Sequence, residues 1–153
     1  MKYTDTLICR YDDGAFQAAF REYFAELGCR VTNWDGLFSE MSETGQDFTW
    51  VRRDERGAVT GFIQFTVMDL ESWFFTVKCG FIREFWIAPA LRRQGHGTAL
   101  LRLAEEWLTA RQCAYALLTT KTAPQFYRRN GYAPHGEIHA KNQEEVFVKS
   151  LLK

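Results

Sequence analysis

The sequence lacks paired cysteines, a long apolar run, a surplus of charge and a triphosphate-binding loop, and each absence removes a class of function. Cys9, Cys29, Cys79 and Cys113 are dispersed with no Cys-x-x-Cys pair, which argues against a zinc ribbon or a dithiol redox motif. Reduced, mostly buried thiols are the expectation, with a nucleophilic Cys79 as the alternative. His96, His135 and His139 show no carboxylate-backed ligand spacing, so no metal is expected. Lysine plus arginine and aspartate plus glutamate number 19 each. No overall basic field therefore draws the chain to nucleic acid or an anionic membrane. No apolar run approaches the roughly 18 residues of a membrane span, and the opening MKYTDTLICRYDDG has no signal-peptide core. A soluble, cytoplasmic protein is expected.

What is present suits a globular domain. A chain of 153 residues buries roughly 68–70% of its unfolded surface, enough for one core. Its apolar fraction is 46% and its charged fraction 25%, while aromatics reach 16%, which is high and argues against disorder.

A short strand is expected around Thr6 to Arg10. Asp13 then caps a helix whose Phe16, Phe20, Phe24 and Leu27 form one stripe ended by Gly28. Trp34, Leu37, Phe38 and Met41 repeat the helical spacing before Gly45. Two β-rich runs flank Asp54 to Gly57 and read as a hairpin. The run FFTVKCGFIREFWIAP, rich in aromatic and β-branched residues, predicts a further strand or strand pair ending at Pro89. From Thr98, Leu100, Leu101, Ala104, Trp107 and Leu108 mark a helix, and AYALL a short strand. Thr122 is a cap candidate for a helix through Tyr127, with Pro124 in its first turn and Asn130-Gly131 at its exit; EEVFVKSLL closes with a strand. With no repeat or linker, a single α/β domain over 1–153 is the economical reading.

The stretch ALRRQGHGTALL, Ala90 to Leu101, carries the chemistry. A strand, a turn with Gly95 and Gly97, and a helix start together converge unpaired N–H groups on one point, which makes an anion seat. Gly95 can take backbone angles barred to other residues, and Gly97 removes a side chain where a ligand approaches. Arg92 and Arg93 add mobile cations, so a diphosphate is the natural guest. There is no Gly-Lys-Ser or Gly-Lys-Thr, which excludes the P-loop, and Leu100 stands where the dinucleotide fingerprint wants a third small residue. The bland alternative is a solvated surface turn.

IAPALRRQGHGTALL resembles the signature of the GNAT superfamily of acetyl-CoA-dependent N-acetyltransferases: Arg or Gln, two residues, Gly, one residue, Gly or Ala, met by Arg92, Gly95 and Gly97. APQFYRRNGY is similar to the family's tyrosine-bearing helix. The resemblance covers about the last half of the chain. It implies the GNAT fold, an α/β (α+β) arrangement with a mixed, mostly antiparallel sheet flanked by helices. It further implies that amides from Gln94 through Gly95, His96, Gly97 and Thr98 hold the coenzyme A diphosphate beside Arg92 or Arg93. The strand Phe85, Trp86, Ile87 then offers backbone groups to the pantetheine arm, and an amide there steadies the oxyanion.

The same resemblance implies that Tyr127 protonates the departing thiolate; a packed core tyrosine is the alternative. Glu84 is the candidate base for the acceptor amine, set on the strand face opposite Arg83 and Phe85, against a structural salt bridge. Glu40 and Glu43 are alternatives for recognising a cationic acceptor, and a solvated helix face explains them equally well. Thr120 stands where many members have asparagine, so a coenzyme contact there is a candidate. His96 is expected to be exposed, with a titrating histidine beside phosphate as the alternative. The aromatics of WFFTVKCGF fill either the core, which is favoured, or an acceptor pocket.

The expected activity is direct acetyl transfer from acetyl-CoA, as cosubstrate without metal, to a primary amine on a small molecule or peptide. The alternatives are a non-catalytic acyl-CoA-binding sensor or interaction module, and a site for another diphosphate nucleotide. Oligomeric state stays open; exposed aromatics would suit a homodimer.

Overall fold

The computed structural model describes residues 1–71 and 76–152. The aromatics Trp73, Phe74 and Phe75 lie outside the described residues. The elements run β1 (Thr4–Ile8), α1 (Gly14–Leu27), α2 (Trp34–Thr44), β2 (Asp47–Arg53), β3 (Val59–Glu71), β4 (Thr76–Ile87), α3 (His96–Ala110), β5 (Tyr115–Thr120), α4 (Pro124–Arg129), β6 (Ala133–Pro134) and β7 (Glu145–Ser150). The sheet has seven strands in the order β1-β2-β3-β4-β5-β7-β6. β1–β2, β5–β7 and β6–β7 are antiparallel and β4–β5 is parallel, so the sheet is mixed and mostly antiparallel with helices between its strands.

The chain falls into two compact units, Met1–Phe65 with Glu84–Leu101, and Thr66–Arg83 with Arg102–Lys153. In the first, the Asp13 carboxylate accepts the Ala15 N–H and so starts α1, and Gly28 ends it at φ 73°. Asn33 accepts the Gly36 N–H to start α2, and Gly45 ends that helix at φ 62°. Both stops use the left-handed backbone that glycine adopts without a Cβ penalty. The helices bury Phe16, Phe20, Phe38 and Met41 against Val51, Phe62 and Trp86. Phe20 stacks on Phe62 at 5.6 Å between ring centroids and Phe62 lies 5.8 Å from Trp86. Such pairs contribute about 0.5–1.5 kcal/mol each beyond area burial. Leu27, expected in the stripe, is the last residue of the helix and is exposed.

The turn after β2 is held by the Asp54 carboxylate, which accepts from the Arg56 and Ala58 N–H groups at 2.9 and 3.1 Å. β1 spans Thr4–Ile8 rather than Thr6 to Arg10, since its register pairs Thr4 with Arg53 and Ile8 with Thr49.

In the second unit, β4 pairs with β5 from Cys79↔Tyr115 to Phe81↔Leu117, and β5 pairs with β7 along its whole length. Ala104, Leu108, Cys113, Ala116, Leu118 and Phe147 are buried there. The two-residue β6 was too short to leave a periodic signal and pairs Ala133 with Val148.

Candidate functional site

β4 leaves the sheet at Ile87, passes through a single 3₁₀ turn at Pro89–Leu91, and meets α3 at His96, two residues ahead of the Thr98 start expected from the leucine spacing. Arg93 sits at φ 66° and Gly95 at φ 90°. A Cβ on Gly95 would meet nothing within 4 Å, so conformation rather than space requires glycine there. Gly97 has no positive φ and lies in the first turn of α3.

Among the described residues, the backbone N–H groups from Arg93 to Thr98 donate to no protein acceptor; the next, Ala99 N–H, reaches Gly95 O at 3.1 Å. These donors sit at the positive end of α3, which carries no acidic residue in its first turn. The arrangement is that of an anion seat. Gln94 folds back, its Nε2 donating to Ala90 O at 3.1 Å, and so steadies the loop.

The two arginines take different roles. Arg92 is a strut: its Nε donates to Ile87 O at 2.9 Å and its Nη2 to Glu26 Oε2 at 2.6 Å. The expectation that it is a mobile cation therefore fails, because a carboxylate from α1 captures it. Glu26 also accepts the Trp86 indole hydrogen at 2.9 Å. Burial pushes the Glu26 carboxyl upward, but the bonds from Arg92 and Trp86 and the Arg92 charge outweigh it and hold the group below its ordinary value. Arg93 is exposed and makes no ion pair among the described residues.

His96 is 9% exposed, not solvated as expected. Its ring packs edge-on against Tyr3 at 4.6 Å, and its Nδ1 lies 3.0 Å from Arg52 Nη1. The side chain of a helix's first residue leans back beyond the helix end, where Tyr3 and Arg52 cover it. Burial first, then the Arg52 charge, lower its proton affinity against the opposing pull of Asp5.

Just past β4, Ala88 N–H donates to Thr60 O at 2.8 Å, and a Cβ on Gly61 would lie 3.1 Å from Trp86 O. By strand alternation the Trp86 backbone turns toward β3 and that of Ile87 toward the other edge, where Arg92 takes its carbonyl. Glu84 is half-buried and shares a strand face with the buried Trp86. Phe85 is half-buried. Glu40 and Glu43 are exposed on α2.

Thr120 and Tyr127 belong to the second unit. Thr120 Oγ1 accepts the Ala123 N–H at 3.1 Å, and Ala123 precedes α4 without a side-chain cap of its own. Thr120 thus does what was expected of Thr122, since the end of β5 directs its hydroxyl at the helix start. Tyr127 is 8% exposed, between Phe126 at 5.1 Å and Tyr132 at 5.8 Å. Its hydroxyl makes no hydrogen bond among the described residues. Burial raises its pKa, so the phenol stays protonated through the neutral range. Sequence reasoning missed Glu26, Asp5 and Arg52, which reach the loop only through tertiary packing; spacing carries no signal for partners 66 or 44 residues away. No group of three or more histidine, cysteine or acidic residues could hold a metal among the described residues.

A family model described as the acetyltransferase (GNAT) family matches residues 11–132. The aminoglycoside N(6')-acetyltransferase type 1 of Klebsiella aerogenes is 30% identical over 57 residues, which are 37% of this chain and 38% of that protein. This chain therefore spans well under half the length of that relative. A GNAT-family acetyltransferase from Staphylococcus aureus superposes with a TM-score of 0.72 at 14% identity, over 97% of this chain and all of the other. N-acetylglutamate synthase of Neisseria gonorrhoeae, in complex with coenzyme A and N-acetyl-glutamate, superposes with a TM-score of 0.70 at 14% identity, over 98% of this chain and 36% of the other. At these identities the two structures establish the fold alone.

Proposed function

This chain belongs to the acetyltransferase (GNAT) family, and from that premise we propose that it transfers the acetyl group of acetyl-CoA directly to a primary amine. The observation that carries the reading is the run of N–H groups from Arg93 to Thr98 at the start of α3, which donate to no acceptor among the described residues and are shaped by Gly95 at a backbone angle that favours glycine. That seat suits the coenzyme A diphosphate, with exposed Arg93 as the added cation and the edge of β4 at Ile87 for the pantetheine arm.

In the proposed reaction the amine nitrogen attacks the thioester carbonyl carbon, the carbon–sulfur bond breaks and the acetyl group stays on nitrogen. Glu84 takes the proton that the ammonium must lose before attack, and the nitrogen sheds a second proton to water as the neutral amide forms. Tyr127, protonated at neutral pH and with no hydrogen bond to its hydroxyl among the described residues, gives one to the thiolate. The acceptor is an amine on a small molecule or a peptide. An aminoglycoside acetyltransferase among the relatives supports acetyl transfer as the chemistry, and leaves the acceptor class open.

The test incubates the protein and acetyl-CoA with a panel of primary amines, following free thiol and product mass. Amine-dependent thiol release with a product one acetyl group heavier is the expected result. Acetyl-CoA binding with no amine acetylated would favour a binding module, and absence of binding would overturn the reading of the loop.

A further inference from the structure

The first turn of α3 has a tether that the anion seat alone does not require. Register places Asp5 of β1 directly opposite Arg52 of β2. Both oxygens of Asp5 accept from Arg52, Nε at 2.8 Å and Nη2 at 2.9 Å, a bidentate fork that fixes the guanidinium plane. The remaining nitrogen, Nη1, points to His96 Nδ1 at 3.0 Å. An arginine donates and never accepts, so Nδ1 must be the acceptor and the imidazole proton sits on Nε2. The guanidinium also lies over the Tyr3 ring at 5.8 Å, and Tyr3 closes the other side of the imidazole. Arg52, Asp5 and the Tyr3 phenol are the ionisable groups the structure sets against His96.

His96 is the first residue of α3, and the N–H groups on either side of it have no acceptor among the described residues. Among the described residues no side-chain oxygen accepts from them, so within those residues no side-chain cap holds this turn, and helix ends fray. The loop leading to it also contains two left-handed residues, Arg93 and Gly95. The imidazole contact with Arg52 ties this turn to β2, in addition to the bonds that Gln94 and Arg92 make within the loop. The Arg52 charge is already balanced by Asp5, so its effect on an anion is through orientation rather than attraction.

We propose that Arg52 is a positioning residue for the coenzyme loop: held by Asp5, it fixes His96 as the Nε2–H tautomer and thereby aims the amides of the first turn of α3 at the diphosphate. The inference rests on the proposed function, in which that turn binds coenzyme A.

Two measurements on the intact protein test it. The nitrogen-15 imidazole spectrum of His96 at neutral pH is expected to show an unprotonated, hydrogen-bonded Nδ1 and a protonated Nε2, and to lose that pattern in Arg52→Met. A protonated Nδ1 would overturn the proposal. Calorimetric titration with coenzyme A is expected to show a roughly five- to tenfold weaker Kd for Arg52→Met and for His96→Leu, the size of one lost ordering hydrogen bond. The double variant is expected to be no weaker than either single one, since both remove one interaction. His96→Asn, whose side-chain oxygen can stand in for Nδ1, is expected to recover much of the loss. Additive losses, or an Asn variant as weak as the Leu variant, would reduce the network to ordinary packing. Should Arg52→Met fail to fold, Asp5→Asn loosens the fork with Arg52 in place and must weaken binding in the same direction. If wild-type protein binds no coenzyme A, the proposed function is what has failed; if it binds and the variants bind equally well, only the positioning role falls.

Discussion

Arg92 donates to Glu26 at 2.6 Å across 66 residues of chain, and the same carboxylate accepts the Trp86 indole hydrogen at 2.9 Å. One α1 side chain thereby ties the end of β4 to the loop that follows it. Both partners of the ion pair are partly exposed, 46% for Arg92 and 34% for Glu26, so screening keeps its contribution near ~0.5 kcal/mol. Glu26→Ala also leaves the Trp86 indole without its acceptor, and is expected to lower Tm by about 2–4 °C for a chain of this length. Glu26→Gln keeps an oxygen for the indole and should lose less. Thermal unfolding of the two variants at neutral pH checks the order.

The carboxyls of Glu26 and Asp13 both lie below their ordinary values. In each, burial acts upward and is outweighed by bonds to arginine, Arg92 for Glu26 and Arg53 for Asp13. A depressed folded-state pKa contributes stability that is present above the unfolded value and lost as pH falls through the folded one. Tm is therefore expected to hold down to about pH 5 and to fall on further acidification, below the ordinary carboxylate pKa of about 4. The double variant Asp13→Asn with Glu26→Gln should start lower and show a shallower acid slope in the same melting series.

Gly95 and Gly97 should respond differently to alanine. At φ 90° a Cβ strains Gly95 by about 1–2 kcal/mol, so Gly95→Ala is expected to lower both Tm and coenzyme A affinity. Gly97 is helical, where alanine favours the helix by roughly 0.5–1 kcal/mol. Gly97→Ala should melt no earlier than wild type, yet bind coenzyme A more weakly if the ligand approaches that backbone as proposed. Paired melting and calorimetry separate the two effects.

Tyr127→Phe removes a hydroxyl that has no protein partner among the described residues. Stability should change little, while the rate of thiol release under conditions where chemistry limits turnover should fall about 10²-fold or more if the phenol is the acid. An unchanged rate would remove that role.

Gly61 marks a close approach inside the first unit. A Cβ there would lie 2.8 Å from Ile87 Cδ1 and 3.1 Å from the Trp86 carbonyl oxygen. The methyl of Ile87 can turn aside, but the carbonyl is backbone and cannot move without disturbing β4. Gly61→Ala is expected to cost about 1–3 kcal/mol, readable in urea unfolding.

The sequence by itself determined what acts within one helical turn or one tight turn of chain. Asp13 and Gly28 bound α1, Gly45 ends α2, the Asp54–Gly57 segment turns the hairpin, and the Gly95-x-Gly97 loop opens a helix; each depends on groups no more than about four residues apart, the reach of a cap or turn hydrogen bond. Family and fold class were legible for the same reason, since the loop motif and the tyrosine helix are local patterns. Tertiary structure alone decided which charges remain free and which side chains are covered. Arg92 and Arg93 are adjacent and alike in sequence, yet Glu26 captures the first and nothing among the described residues pairs with the second. His96 reads as a loop tip and is buried, because Tyr3, just ahead of β1, and Arg52, set opposite Asp5 by the β1–β2 register, occupy the space beside it. Such pairings depend on where distant segments pack, and periodicity carries no record of that.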